Sequence, residues 1–299
     1  MMPAGKVNDE SRGSPALAQL GTLGREPAMV QIAPTWRVEN TMLCVYRGPA
    51  RAGSEYVGDI AVYVAEHGND KTGKVAGLIV APVVAGKVVG YWQARKTGAD
   101  RCVCGNCQHR SKASGGNGTC YVGNGSQVGM GLDARLRKAD ALTPEPADLA
   151  GYLRTLRRGG ASALRSAVWG DAGALPVDVW QTIESAATDA RLPVLGYTHA
   201  ALDGVPHLRA SHVASVDGEA YTPDGWRSFR VADPGAKPRA GEFACPASAE
   251  RGHVTTCGTC LACGTVGNAQ DRRSVVIWRH DMAGQVAARR LRDLTISVR

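Results

Sequence analysis

The stretch ALRSAVWGDAGALPVDVWQTIESAATDARLPVLGY, residues 163–197, decides the fold class. Its first seven residues, Ala163–Trp169, read as a strand, and Gly170-Asp171-Ala172-Gly173 as a tight loop. Pro176–Ala190 has helical spacing, with Val177, Trp180, Ile183, Glu184 and Ala187 on one side. Leu192–Tyr197 is the next apolar run and the next strand. Two strands joined through a helix cannot form a hairpin, so the unit implies a right-handed crossover between parallel strands. Further strands are expected at His212–Val216, Ser228–Val231 and Ser274–Trp278, with a basic helix over Gly284–Asp293 closing the chain. The expectation is an α/β fold, either a partial (β/α) barrel or a layered parallel sheet. In such folds sites gather at the carboxyl ends of the strands. Asp171, Thr198, His199 and Asp217 follow strands directly or nearly so, which makes Asp171, His199 and Asp217 the candidate catalytic residues. The same residues would also serve as ordinary loop polar groups or helix caps.

Upstream, the chain changes character. Residues 1–28 are Gly-, Pro- and Ser-rich without periodicity and read as disordered or loosely attached. Residues 29–100 form a β-rich section, with strands at Met42–Tyr46 and Asp59–Ala65 and a hairpin of Val75–Val84 with Val88–Ala94. Residues 101–299 make up an α/β domain built around cysteines. Within it Leu132–Lys138 reads as a short helix, and Pro146–Arg158 as a longer one stopped by Gly159-Gly160.

Eight of the nine cysteines fall in two groups. The first is Cys102-x-Cys104-x2-Cys107 with Cys120, and the second is Cys245 followed by Cys257-x2-Cys260-x2-Cys263. Cys44, alone among apolar neighbours, reads as a buried small hydrophobe. No secretory signal and no apolar run long enough to span a membrane is evident. That argues for a cytoplasmic protein in a reducing compartment, where such cysteines bind metal more often than they pair as disulfides. Structural zinc usually takes two Cys-x2-Cys knuckles. Three thiolates from one tight turn plus a remote cysteine beside proline (Cys245-Pro246) instead suit an iron–sulfur cluster of the [4Fe–4S] type, with zinc as the alternative. In the first group Cys104, Cys107 and Cys120 give three ligands, and Cys102 is either a fourth or a spectator. Three ligands leave an open position, and four close the site. His109 is close enough in sequence to serve as a ligand, but among Arg110 and Lys112 it reads rather as a solvent residue.

The formal charge of +8 makes DNA or RNA a plausible partner. Arg272, Arg273, Arg289, Arg290 and Arg292 are the candidate phosphate contacts, although the last helix also reads as a solvated face. There is no phosphate-binding Gly-x4-Gly-Lys-Ser/Thr loop and no dinucleotide fingerprint after a strand. His207 and His212 are spaced too far apart for the His-hydrophobe-His core of a metal-dependent nickase.

Taken in order, Asn69-x-Lys71-Thr72-Gly73, Cys104-x2-Cys107, Gly118-x-Cys120-Tyr121-Val122, Gly170-Asp171, Glu242-Phe243-x-Cys245-Pro246 and Thr256-Cys257-x2-Cys260-x2-Cys263 resemble a cysteine-rich protein family of bacteriophages, prophages and plasmids. The chain is also distantly similar to phage gene product 88-type proteins, whose Cys-Tyr signature resembles that of radical-SAM barrels. The resemblance covers residues 69 to 280. It implies a partial barrel with iron–sulfur cofactors and a mobile-element origin, but no particular reaction. S-adenosylmethionine enters only through it, with Gly170 and Asp171 standing where that superfamily binds the methionine amine. The cysteine spacing departs from that superfamily's Cys-x3-Cys-x2-Cys. Two functions follow as expectations. One is a radical-SAM-like redox enzyme acting on a nucleic acid or nucleotide. The other is a non-catalytic DNA- or RNA-binding module with closed structural sites.

Overall fold

The computed structural model describes residues 42–278, apart from 121, 123–126, 219, 221–224, 234, 249–250, 253 and 266–272. The N-terminal 1–28 segment, Tyr121, Arg272 and the basic helix with Arg289, Arg290 and Arg292 lie outside the described residues.

Two open sheets organise the chain, and no closed barrel forms among the described residues. The first sheet contains β1 (Met42–Pro49), β2 (Asp59–Asn69), β3 (Gly73–Val84), β4 (Lys87–Val88), β5 (Leu164–Trp169) and β6 (Val194–Leu195). Its order is β1-β2-β3-β5-β6, with β4 paired to β3. β1, β2 and β3 are antiparallel neighbours, whereas β5 and β6 add in parallel. The β-rich section therefore shares its sheet with the β-α-β unit. β2 and β3 are central, and Ile60–Ala65 and Val75–Val83 are buried almost without interruption. That is why they read as apolar runs rather than as an alternating pattern. The second sheet holds β7 (Tyr197–Thr198), β8 (Val213–Asp217), β9 (Ser228–Ala232), β10 (Glu242–Ala244) and β11 (Ser274–Trp278). It is wholly parallel, in the order β10-β11-β9-β8-β7.

The helices cover the first sheet with apolar stripes. α4 (Leu149–Arg158) buries Leu149, Tyr152, Leu153 and Leu156, an i, i+3, i+4, i+7 face. α5 (Val177–Asp189) buries Trp180, Ile183, Ala186 and Ala187, while Val177 stays exposed. Leu132 and Leu136 of α3 (Gln127–Ala139) and Tyr91 and Ala94 of α1 (Tyr91–Thr97) join the same core. Each fully buried large aliphatic or aromatic side chain contributes about 1.5–3 kcal/mol, so these stripes hold the layer on the sheet.

Two departures from the sequence reading have identifiable causes. The expected strand Val88–Ala94 stops at Val88, and Tyr91–Thr97 is helical. Gly90 holds an extended N-terminal position there, and Gly98 ends the helix in the left-handed region at φ 82°. The expected strand Leu192–Tyr197 is two strands in two different sheets, divided at Gly196. A Cβ on Gly196 would stand 1.8 Å from the Ser166 Oγ, so only glycine allows the chain to cross between the sheets here. β10 was not anticipated at all. In β5, Gly77 of β3 pairs with Arg165 but Ile79 pairs with Trp169. This bulge includes Ala167 at φ 55° and re-aims the strand end that carries Asp171.

Cys44 is buried and unpaired, and burial pushes its thiol up to about 11. No helix among the described residues is long and apolar enough to cross a membrane.

Candidate functional site

The carboxyl end of β5, in the first sheet, meets those of β7 and β8, in the second. Asp171, just after β5, is 4% exposed. Its Oδ1 accepts hydrogen bonds from the Gly173 N–H at 2.8 Å and the Thr198 hydroxyl at 2.7 Å. Its Oδ2 accepts from the His199 N–H at 2.7 Å. Asp171 thus caps its own loop and fixes the end of β7. It is a positioning residue whose carboxylate is committed to protein donors. Gly170, at φ 81°, lies where a Cβ would come within 2.8 Å of Val80, so its constraint is close packing against the core.

His199, half-buried, points its ring at His109, with centroids 5.7 Å apart. Burial lowers its pKa, the neighbouring His109 adds to that effect, and Asp171 and Asp217 oppose it. The imidazole is therefore neutral at pH 7, able to accept a proton or bind a metal. Asp217, at the end of β8, accepts from the His109 Nε2 at 2.6 Å and from the Gln108 side-chain amide. Burial would raise its carboxyl, but the bonds from His109 and Gln108 outweigh that and hold it below its usual range. His109 Nδ1 meets the Thr119 hydroxyl at 2.7 Å. His109 therefore does not sit in solvent, as its neighbours Arg110 and Lys112 suggested. It is clamped between the cysteine loop and the strand rim.

That loop is tightly built. Asp100, 2% exposed, accepts from both the backbone N–H and the hydroxyl of Ser111. Arg110 donates to the Cys107 and Ser114 carbonyls, and Arg95 to that of Gly118. Cys102 and Cys104 share the single helical turn α2 (Arg101–Cys104). Residues two apart on a helix face different ways. Cys102 accordingly lies against Gly58, where a Cβ would be 2.9 Å from its Sγ. Its thiol is raised by burial and by Asp100 and Asp59, with no cysteine contributing. Cys104 is raised by burial, then by Cys120 and Cys107, and also by Asp171. Burial, Cys120 and Asp171 push Cys107 up to about 12, against the His109 and Arg110 backbone N–H groups. Cys104 and Cys107 thus each feel the Cys120 thiol and Asp171, whereas Cys102 packs against Gly58.

The second group is gathered in the same manner. In α6 (Cys257–Cys260) two thiols lie three residues apart on one turn, and Leu261 at φ 55° swings the chain back toward Cys263. Cys245, Cys257 and Cys263 share a small apolar cluster with Phe229, Phe243, Val275 and Ile277. Burial raises the Cys263 thiol, and Cys245, Cys257 and Cys260 raise it further. The turn between β2 and β3 docks this loop, since the Lys71 and Thr72 carbonyls accept from the N–H groups of Cys257 and Gly258.

Among the described residues, no three His, Cys, Asp or Glu side chains form a group that could hold a metal ion. The donor chemistry nonetheless fits a thiolate-bound metal group. Thiols that raise one another keep their protons until a cation replaces them, and each group has cationic support. The Tyr91 hydroxyl, which accepts from Arg95 at 2.8 Å, and the Arg95 charge both favour the Cys120 thiolate. Lys71 does the same for Cys245 and Cys257, and Arg227 for Cys263. The buried Tyr56 hydroxyl, near Asp171 and Cys104, has no hydrogen-bond partner among the described residues. S-adenosylmethionine fits less well, because Gly170 faces the core and the Asp171 carboxylate closes its own loop. Comparisons with protein-family models, curated proteins and solved structures return no match for this chain.

Sequence position alone pointed to Asp171, His199 and Asp217. It missed Tyr91 and Tyr56, and it weighed His109 as a ligand but placed it in solvent. Only His109 carried a signal, since it lies between Cys107 and Cys120.

Proposed function

We propose that the protein is an iron–sulfur redox enzyme whose open site is formed by Cys104, Cys107 and Cys120 at the strand rim. Cys245, Cys257, Cys260 and Cys263 hold a second, four-thiolate site. The observation that supports this reading is the packing of Cys102 against Gly58, apart from Cys104, Cys107 and Cys120, whose loop reaches the strand rim through the His109–Asp217 bond. Cys104, Cys107 and Cys120 would hold the cluster, which would supply one-electron chemistry there. The chain supplies the surroundings. Asp171 fixes the position of His199, and Asp217 fixes that of His109. The neutral His199 imidazole is the group on this rim suited to accept a proton, and the Tyr56 hydroxyl is the unsatisfied donor. The positive charge favours an anionic substrate, a nucleotide or nucleic acid. The resemblance of its motifs to phage and plasmid proteins supports an origin in a mobile genetic element.

The test is a set of single substitutions read by metal content in anaerobically purified protein. Cys102→Ser is expected to leave the first site filled, whereas Cys104→Ser, Cys107→Ser and Cys120→Ser each empty it. Loss of metal on Cys102→Ser would make the site closed and end its catalytic assignment. Nucleic-acid binding without turnover would then become the working function.

A further inference from the structure

The connection between β1 and β2, residues 50–58, closes on itself, since the Ala50 N–H donates to the Gly58 carbonyl at 2.8 Å. A loop of this length with its ends bonded is a compact surface unit of the Ω type. At its base Gly58 stands at φ 110°, which side chains rarely adopt. The tip at Ala52 and Gly53 is exposed, and so is Val57, yet Tyr56 turns inward and is 4% exposed. Tyr56 lies between two loops that border the strand rim. A Cβ on Gly105, one residue after Cys104, would stand 2.9 Å from its ring. A Cβ on Gly173, two residues after Asp171, would stand 2.9 Å from its hydroxyl. Glycine at both positions makes room for the ring.

Arg51 ties the loop down. Its N–H donates to the Ala174 carbonyl at 2.9 Å, its Nε to the Gly173 carbonyl at 2.8 Å and its Nη1 to the Gly204 carbonyl at 2.6 Å. The Glu55 carboxylate accepts the Ala201 N–H at 2.9 Å. The closed loop nonetheless leaves donors unmet. The Tyr56 hydroxyl and the Arg51 Nη2 are shut off from solvent with no partner among the described residues. The same holds for the Nε2 of His207, a ring near enough to Arg51 to feel its charge.

We propose that residues 50–58 are a lid over the strand rim, with Tyr56 as its latch between the Cys104 turn and the Asp171 loop. The inference does not depend on what the thiols bind. Closing the loop takes the Tyr56, Arg51 and His207 donors away from water without giving them acceptors, and opening returns that cost. A surface loop with a penalty on its closed state opens far more often than the buried strand beside it. Open, it uncovers the space between Gly105 and Gly173 and lets a ligand reach Asp171 and Cys104. Closed, it keeps water from them.

The test is amide hydrogen exchange of the full chain, resolved residue by residue by NMR. The Arg51 amide, bonded to Ala174, reports the lid. The Gly173 and His199 amides, which donate to Asp171 beneath it, report access to the rim. Those of Ile60–Ala65 in β2 report the fold. Tyr56→Phe keeps the ring and removes the unpaired hydroxyl, so it should favour the closed lid. The Arg51, Gly173 and His199 amides should then exchange more slowly, together, by about fivefold or more, with β2 unchanged. Glu55→Ala, which removes the bond from the Ala201 N–H, should speed all three and keeps the test independent of any change at Tyr56. If the Arg51 amide of the unsubstituted chain exchanges as slowly as β2, the segment is core and the lid is refuted. Unchanged or faster exchange in Tyr56→Phe refutes the penalty on closure. Slowing confined to Arg51 would leave a mobile loop that covers nothing, and would refute the lid as well.

Discussion

Replacing His212 with glutamine should flatten the acid limb of the protein's stability. His212 is 1% exposed at the start of β8, and its Nε2 meets the Ser166 Oγ of β5 at 2.6 Å. It therefore bonds the two sheets beside the Gly196 crossing. Trp180 packs edge-on against its ring at 5.0 Å, and Ser211 meets the Nδ1 at 3.1 Å. No carboxylate contributes to its titration, and burial lowers its pKa to about 3 from the ordinary 6.5. Between those values the unfolded chain binds the proton and the folded chain does not. Stability therefore rises with pH across this window and is lost as pH falls. At about 1.4 kcal/mol per pH unit, the His212 contribution lost by pH 5 is about 2 kcal/mol, approaching about 5 kcal/mol near pH 3. The assay is urea unfolding at several pH values from 7 downward. At pH 7, His212→Gln should cost about 1–3 kcal/mol through its broken hydrogen bonds. Below pH 6.5 its stability should fall less steeply than that of the unsubstituted chain. His67, whose pKa burial and then Arg165 and Arg135 lower to about 4, gives a parallel slope in both proteins and cancels in the comparison. Equal slopes with and without His212 would refute the reasoning.

Two further outcomes follow from buried pairs. Arg230 grips Glu242 in a two-point ion pair, at 2.8 and 2.6 Å, with side chains 1% and 5% exposed. Arg230→Met should cost about 3–5 kcal/mol in chemical unfolding, because it strands a buried carboxylate; a loss under about 1 kcal/mol would contradict this. Tyr91→Phe removes the hydroxyl that supports the Cys120 thiolate while leaving the packing against Trp169 intact. First-site metal affinity, measured by chelator competition, should drop by about 10–100-fold, as it does when such supporting groups are removed elsewhere. An unchanged affinity would remove Tyr91 from the site.

The β-α-β unit was legible because its elements are long and strongly periodic. Trp180, Ile183 and Ala187 lie on the expected face, and Asp171 lies at the expected strand end. The helix at Tyr91–Thr97 was not, because Val88–Ala94 is apolar and aromatic enough to read as strand. The deciding facts were burial of Tyr91 and Ala94 on one face and the stop at Gly98. The division of Leu192–Tyr197 between two sheets was equally hidden, since the need for glycine at 196 comes from Ser166, on another strand. In the site, residues defined by their place after a strand were found, whereas those defined by long-range contact were not. The His109–Asp217 bond joins residues 108 positions apart. Spacing left Cys102 undecided, and the structure packs it against Gly58.

The account's central claim is that the gathered thiols hold iron–sulfur clusters beside a titratable rim. The most direct measurement is an anaerobic purification, followed by a visible spectrum and iron, sulfide and zinc counts on one sample. The expected result is a brown protein with about four irons and as many sulfides per filled cubane site. A colourless protein carrying stoichiometric zinc would contradict the claim.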